Sequence, residues 1–347
     1  MGGRYVARRL GGALLTVLAI AILNFFLFRM LPGDPVRSLL PRNVSAQERE
    51  ALAERLGLHL PILPGVVRSP SGAIRLDGST LPGSITENQL VTYLTGLATL
   101  DLGLGFASSA PVIDILSERF WPTVLLVGSA EVIALIIGLF IGIRAGWRRG
   151  SLFDVLAIDT SLVLYAVPLF WLGMLLFYFL ATPNGIALFP GQQMTTPGVV
   201  FASSLDRAID IGRHLVLPAT TLALGLLAGY ALIMRSSMVE VLREDYITTA
   251  RAKGLKDDQV MRRHAIPNAL LPTVTIIALT FGYVLGGAIG VEEVFAWPGM
   301  GSLIIDAVAD RDFPVLQGVF LVIAISVVAA NLVADILYGM LDPRVRT

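Results

Sequence analysis

Three histidines, no cysteine and a thin scatter of carboxylates are all this chain holds for nucleophilic, metal or acid–base chemistry. His59, His214 and His264 fall in three separate predicted loop regions, so none is expected to share a metal ion with another. No Gly-x4-Gly-Lys-Ser/Thr stretch occurs, so the chain has no phosphate-cradling loop of its own. An intramembrane protease or transferase would need a nucleophile and a base at one depth. The histidines lie outside the apolar stretches and no paired carboxylates lie within them, which argues against such an enzyme. Energy for active work must come from elsewhere.

Carboxylates inside apolar stretches are the next candidates, because an Asp near the centre of a membrane helix costs about 2.5–3.5 kcal/mol on insertion scales. Glu131, Asp159 and Asp335 are such residues. They either line a polar route for a solute or pair with neighbours, and for Glu131 the packing role is the favoured one. The densest charge lies elsewhere: from Arg235 to Arg263 there are seven Lys/Arg and five Asp/Glu, between two very apolar stretches.

The elements that carry these residues are those of a membrane protein. Of 347 residues 55% are apolar and 15% charged, with mean hydropathy +0.74; soluble domains run about 45–50% and about 25%. Net charge is zero, which gives no footprint for nucleic acid. A helix needs about 20 apolar residues to cross the bilayer core. Six stretches qualify: Leu10–Phe28, Pro122–Ile143, Val155–Leu180, Leu215–Met234, Leu270–Val291 and Val315–Met340. The first is expected to be retained rather than cleaved, since "NFFLFRMLPGDP" offers no small-residue cleavage site. Pro168 and the glycines at 282, 286, 287 and 290 suit kinked or closely packed helices.

Short loops fix the orientation by their basic residues. The N-terminus, residues 144–153, the arm and the C-terminal tail carry fifteen Lys/Arg, against three (Arg207, Arg213, Arg311) on the other side. Both termini and the arm are therefore expected in the cytoplasm, and residues 31–121 outside. In that external lobe "SAQEREALAERLGL" reads as a helix with Ser45 as N-cap, Glu48 three residues on, and Leu52, Leu56 and Leu58 behind them. Residues 61–85 read as loop, and "APVIDILSERF" as an amphipathic lead into the second span. Three parts follow: residues 1–30, the lobe 31–121, and a core 122–347 with its loop at 235–269.

Within the arm Met238, Val241, Leu242, Ile247 and Ala250 recur at helical spacing, with Tyr246 beside them. Gly254 interrupts the pattern as a helix end would. Asp257 is placed to cap a second short helix bearing Val260 and Met261, and Pro267 and Pro272 bracket the return to the membrane. Two short helices hinged at a glycine make a compact projection, more structure than a lipid-facing basic loop requires.

"TTARAKG" followed nine residues later by "HAIP" resembles the cytoplasmic loop of ABC importer permeases, Glu-Ala-Ala-x3-Gly-x9-Ile-x-Leu-Pro. Thr248 and Thr249 stand for its Glu and first Ala, Ala250 and Gly254 match, His264 replaces Ile, Ile266 stands for Leu, and Pro267 matches. "ARAKGL" with "RHAIPNALLP" is the form seen in oligopeptide/dipeptide-type permeases. "YVARRL", "FRMLPGDPV", "LGLHLPI", "DLGLGFASSAPVIDIL", "VPLFWLG", "VEEVFAWPGMGSLI" and "YGMLDPRVR" resemble the same branch in order along almost the whole chain. Residues between Pro61 and Tyr93 include an insertion relative to that pattern.

The resemblance implies an all-α inner-membrane protein with six transmembrane helices of type I importer architecture and a small external lobe. It implies a paralogous permease, two ATP-binding subunits that hold ATP and Mg, and an extracytoplasmic binding protein docked on residues 31–121 and 292–314. No cofactor is expected on this chain. Ala250 and Gly254 would allow close packing and the bend, and Pro267 would fix the exit angle. Glu244, Asp245, Arg251, Lys253, Arg262 and Arg263 would form a charged rim. The solute implied is a di- or oligopeptide; alternatives are nickel, a sugar or another small solute in the same family, or a self-contained secondary carrier.

Overall fold

The computed structural model describes residues 3–29, 45, 47, 50, 51, 54, 59–68, 74–77, 86–270, 273 and 288–341. It separates into two compact units, one of residues 1–10, 121–302 and 326–347, the other of residues 11–120 and 303–325.

In the larger unit helix α3 (Val112–Trp147), which belongs to it from Trp121 onward, runs on past Pro122, and α4 (Leu152–Ala166) and α5 (Leu169–Ala181) follow it. Where one span is expected over Val155–Leu180, α4 and α5 meet at 101° around Val167 and Pro168. Pro168 is the N-cap of α5, not a kink inside a continuous helix, because the residue before a proline is pushed out of the helical region. Helix α6 (Ser204–Val241) has 38 residues, far longer than the expected Leu215–Met234. At 1.5 Å per residue it is roughly 57 Å long against a hydrocarbon core of about 30 Å. Its first turn is capped by Ser203, whose hydroxyl accepts from Asp206 N at 3.1 Å.

Helices α3 and α6 lie against each other along a stripe of glycines. A Cβ on Gly138, Gly142 or Gly146 would come within 2.8, 2.6 and 2.6 Å of the Cβ atoms of Tyr230, Met234 and Met238. Small residues at every fourth position let backbones approach where lipid supplies no hydrophobic drive. Both series ascend together, so the helices run parallel and end on the same side.

The smaller unit holds α1 (Gly3–Arg29) from Gly11 onward, a hairpin of β1 (Val66–Arg68) and β2 (Ile74–Leu76), and α2 (Gln89–Thr99). The strands pair antiparallel with Val67 opposite Arg75, where the sequence reads only as loop. Asn88 caps α2 by accepting from Val91 N at 3.0 Å, and Gln89 Nε2 donates to Leu60 O at 2.7 Å. Of the expected helix after Ser45, Gln47, Glu50, Ala51 and Glu54 are helical; Glu48, Leu52, Leu56 and Leu58 lie outside the described residues.

Among the described residues four helices are long and apolar enough to cross a membrane, or five if α4 and α5 count as one span. They include the start of α11 (Phe313–Leu341). The expected span Leu270–Val291 lies largely outside the described residues, as do Pro272 and the glycines at 282, 286 and 287. Leu14, Ile136, Phe140 and Val163 are exposed, as lipid-facing positions require.

Candidate functional site

The charged arm grows from the end of α6. Leu242 N and Arg243 N close the last turn on Met238 O and Glu240 O, both at 3.0 Å, and Glu244 then turns extended. Helix α7 (Asp245–Ala252) begins there and points Ile247 and Ala250 inward. Those two, with Val260, Ala265 and Ala269, form one buried cluster on Met234 and Met238 of α6. Leu139, Ile143 and Trp147 of α3 pack against its edge. The apolar stripe read from the sequence is thus the face by which the arm is fastened to its own helices.

Helix α7 ends as a glycine-capped helix should. Gly254 N–H donates to Arg251 O at 2.9 Å and Leu255 N–H to Ala250 O at 3.4 Å, with Gly254 at φ +79°. The bend expected at Gly254 is present. Within the chain itself a Cβ at Gly254 would meet nothing within 4 Å. Helix α8 (Asp257–Val260) follows, with Lys256 as N-cap in place of the expected Asp257; Lys256 N donates to Gln259 Oε1 at 3.2 Å. A π turn, Met261–Ala265, then leads into helical residues 266–270. Pro267 therefore sits inside a helix, not at its exit. Lacking an N–H, it leaves the ladder one bond short, and the wide turn before it relieves the clash of its ring with the preceding carbonyls.

The other face of the arm looks outward. Glu244, Asp245, Thr248, Thr249, Arg251, Lys253, Gly254 and Pro267 are exposed, and His264 and Ile266 are half-buried. Arg262 Nε reaches Asp258 Oδ1 at 2.8 Å, Arg251 Nε lies 3.8 Å from Asp257 Oδ1, and Arg251 Cζ stands 5.7 Å from the centre of the Trp147 ring. Such exposed pairs contribute about 0–1 kcal/mol each and hold side chains in place more than they stabilise the fold. Desolvation, then the nearby Glu244 carboxylate, pushes the Tyr246 phenol above its ordinary range, so it stays a neutral donor at the foot of this face.

The structure separates the remaining candidates. Glu131 is buried and accepts from Tyr230 Oη, which ties α3 to α6 beside Gly138; Asp159 is exposed on α4. Asp335 pairs with Arg9 at 2.6 Å. His214 is not in a loop: it is buried in α6 with Nδ1 2.9 Å from Asp210 O. His264 lies in the π turn and His59 in a turn.

A second constellation holds buried polar groups far from the arm. Between α9 (Ile289–Val294) and the start of α10 (Met300–Ala309), "VEEVFAWPGMGS" folds into a knot around Glu292, which is fully buried. Its carboxylate accepts from Thr123 Oγ1 at 2.7 Å and from Ser302 N at 2.9 Å. Trp297, also fully buried, donates Nε1–H to Pro122 O at 2.9 Å. The dense Gly, Trp and Glu content was the available signal.

The chain is similar to known proteins. A family model described as the inner membrane component of binding-protein-dependent transport systems matches residues 134–347, and one for the N-terminal part of such components matches residues 3–68. The chain is 35% identical, over 99% of its length and 98% of theirs, to the dipeptide transport system permease of Escherichia coli K12 and to the di/tripeptide transport system permease of Pseudomonas aeruginosa UCBPP-PA14. Identity and coverage are the same against the glutathione transport system permease of Escherichia coli O6:H1. A solved inward-facing methionine ABC transporter shares the fold, with TM-score 0.52 at 16% identity over 66% of this chain and 96% of that one.

Proposed function

The chain belongs to the inner-membrane components of binding-protein-dependent transport systems, and from that membership we propose that it forms half of an ATP-driven import pathway for di- or oligopeptides. The observation that carries the substrate is likeness along the whole chain to dipeptide, di/tripeptide and glutathione permeases. Its partners in this reading are a paralogous permease, two ATP-binding subunits that hold ATP and Mg, and an extracytoplasmic binding protein. Both termini and the arm face the cytoplasm. Residues 31–121 form an external lobe, and residues 122–347 the permease core with its coupling loop at 235–269.

The arm is the docking element. Its inner face is filled by its own core, whereas its outer face around Gly254 is open and charged. A partner groove seated there lies close to the backbone at Gly254, and the rim of Glu244, Asp245, Arg251 and Lys253 sets orientation and encounter rate more than affinity. Closure of the ATP-binding subunits displaces the arm. Helix α6 is continuous with the arm's anchor, and α3 follows it through the glycine stripe, so the displacement reaches the membrane as a rigid movement. The chain contributes no bond-making step. Glu131 serves the packing of α3 on α6, and Asp159 is the carboxylate left available to the solute route.

The test is reconstitution. The tagged chain, purified from its native host with whatever it holds, is placed in liposomes and supplied with labelled dialanine. Uptake that needs both ATP and the binding protein is expected. Accumulation by the chain alone, without any ATP-binding subunit, overturns the reading in favour of a carrier.

A further inference from the structure

Arg235 lies one turn before Met238, where α6 becomes the anchor of the arm. Its backbone is wedged against α3: a Cβ on Gly142 would stand 3.1 Å from Arg235 N, and one on Gly146 3.0 Å from Arg235 O. Its guanidinium reaches the first turn of α4. Nε donates to Asp154 Oδ1 at 2.5 Å and Nη2 to Asp154 Oδ2 at 2.8 Å, a two-pronged pair. The Asp154 side chain is 3% exposed and that of Arg235 30%.

Asp154 also holds the turn that joins α3 to α4. Its Oδ2 accepts from Gly150 N at 2.9 Å, its own N–H donates to Ser151 Oγ at 3.2 Å, and Ser151 N donates to Arg148 O at 3.0 Å. One carboxylate therefore binds the 148–154 turn internally and binds it to the root of the arm. Parallel forked hydrogen bonds resist rotation about the contact as well as separation, which a single ion pair does not.

We infer that Asp154 and Arg235 are positioning residues that make the α3–α4 turn and the first turns of α4 move as one body with the arm. This rests on the arm being the point where force enters, and it names the side chains that pass that force to a third helix. The glycine stripe and the Glu131–Tyr230 bond link α6 to α3. Ile158 of α4 packs on Ala231, and Leu169 of α5 on Gly225; the forked pair adds to this apolar contact a directional link that fixes the start of α4 against the root of the arm.

The chain has no cysteine, so Arg243→Cys with Leu156→Cys gives two unique labelling sites, both exposed. Spin-label distances are measured on the full chain in lipid nanodiscs, alone and with its co-purified partners trapped after ATP binding. One narrow distance distribution, unchanged by trapping, is expected in the parent. Asp154→Asn puts an amide donor among donors and should widen the distribution at least twofold; Arg235→Lys keeps the charge but loses the fork and should give an intermediate width. Dialanine uptake per ATP hydrolysed should fall at least fivefold in D154N. A distribution as narrow in both variants as in the parent overturns the inference, whatever uptake does. Should D154N fail to accumulate, R235K decides alone. A parent complex that takes up no dialanine sinks the peptide reading while the distances still decide the latch.

Discussion

Gly254 in the arm and Gly299 in the 288–302 knot lie in the two most distinctive stretches of the chain, yet the space around them is opposite. A Cβ at Gly254 would meet nothing within 4 Å; at Gly299 it would lie 2.2–2.4 Å from the carboxylate of Glu292. Gly254 is needed for its backbone, at φ +79°, and leaves its surroundings vacant. Gly299 is needed for its missing side chain, because the site is already full. A distinctive stretch that fills its own interior is architecture. One that keeps a defined bend while leaving an open, charged surface around it is shaped for something outside the chain.

The contrast breaks most easily at the knot. Trp297 is wholly buried and bonded to Pro122 O, so Trp297→Ala should cost about 3–5 kcal/mol, in line with large aromatic deletions. The check is the thermal midpoint of the purified chain together with its yield. A midpoint within error of the parent would mean the knot is ornamental. Gly299→Ala should cost about 1–3 kcal/mol, because added bulk in a filled site forces a shift. The Glu292 carboxylate cannot yield cheaply, since moving it breaks its bonds from Thr123 and Ser302 N. A stable Gly299→Ala chain would remove the distinction between the two glycines.

The sequence made the arm more legible than the knot, for a physical reason. Period-3.6 apolar spacing is local, so Met238, Ile247 and Ala250 could be assigned to one face before any contact was known. Gly254 announced its own bend. The burial of Glu292 depends on Thr123, 169 positions away, and no local pattern records that. Residues Asp206 to Arg213 look like a loop by charge, yet they continue α6 because its first turn is capped at Ser203 and its length is not set by the bilayer. The break at Pro168 was visible as a proline; its 101° was not, because a proline marks where a helix stops and says nothing of where the next one points. The π turn before Pro267 has no sequence signature, whereas the glycines at 138, 142 and 146 stand at a helical spacing that the sequence displays, without showing which helix they face.

The finest test sits at Gly254, where the chain's own stability should barely distinguish two very different substitutions. Any side chain there must hold a left-handed backbone, at about 1–2 kcal/mol, and alanine and tryptophan share that cost. Beyond it the Cβ enters open space, so Gly254→Trp and Gly254→Ala should melt within error of each other. Transport should separate them. In the reconstituted complex Gly254→Ala is expected to keep most dialanine uptake, whereas Gly254→Trp should lose at least tenfold while the permease still inserts. Equal uptake by the two would mean that no partner surface comes near residue 254. The arm would then be a fold with one unexplained face, and its likeness to the knot would be closer than the vacancy around its glycine suggests.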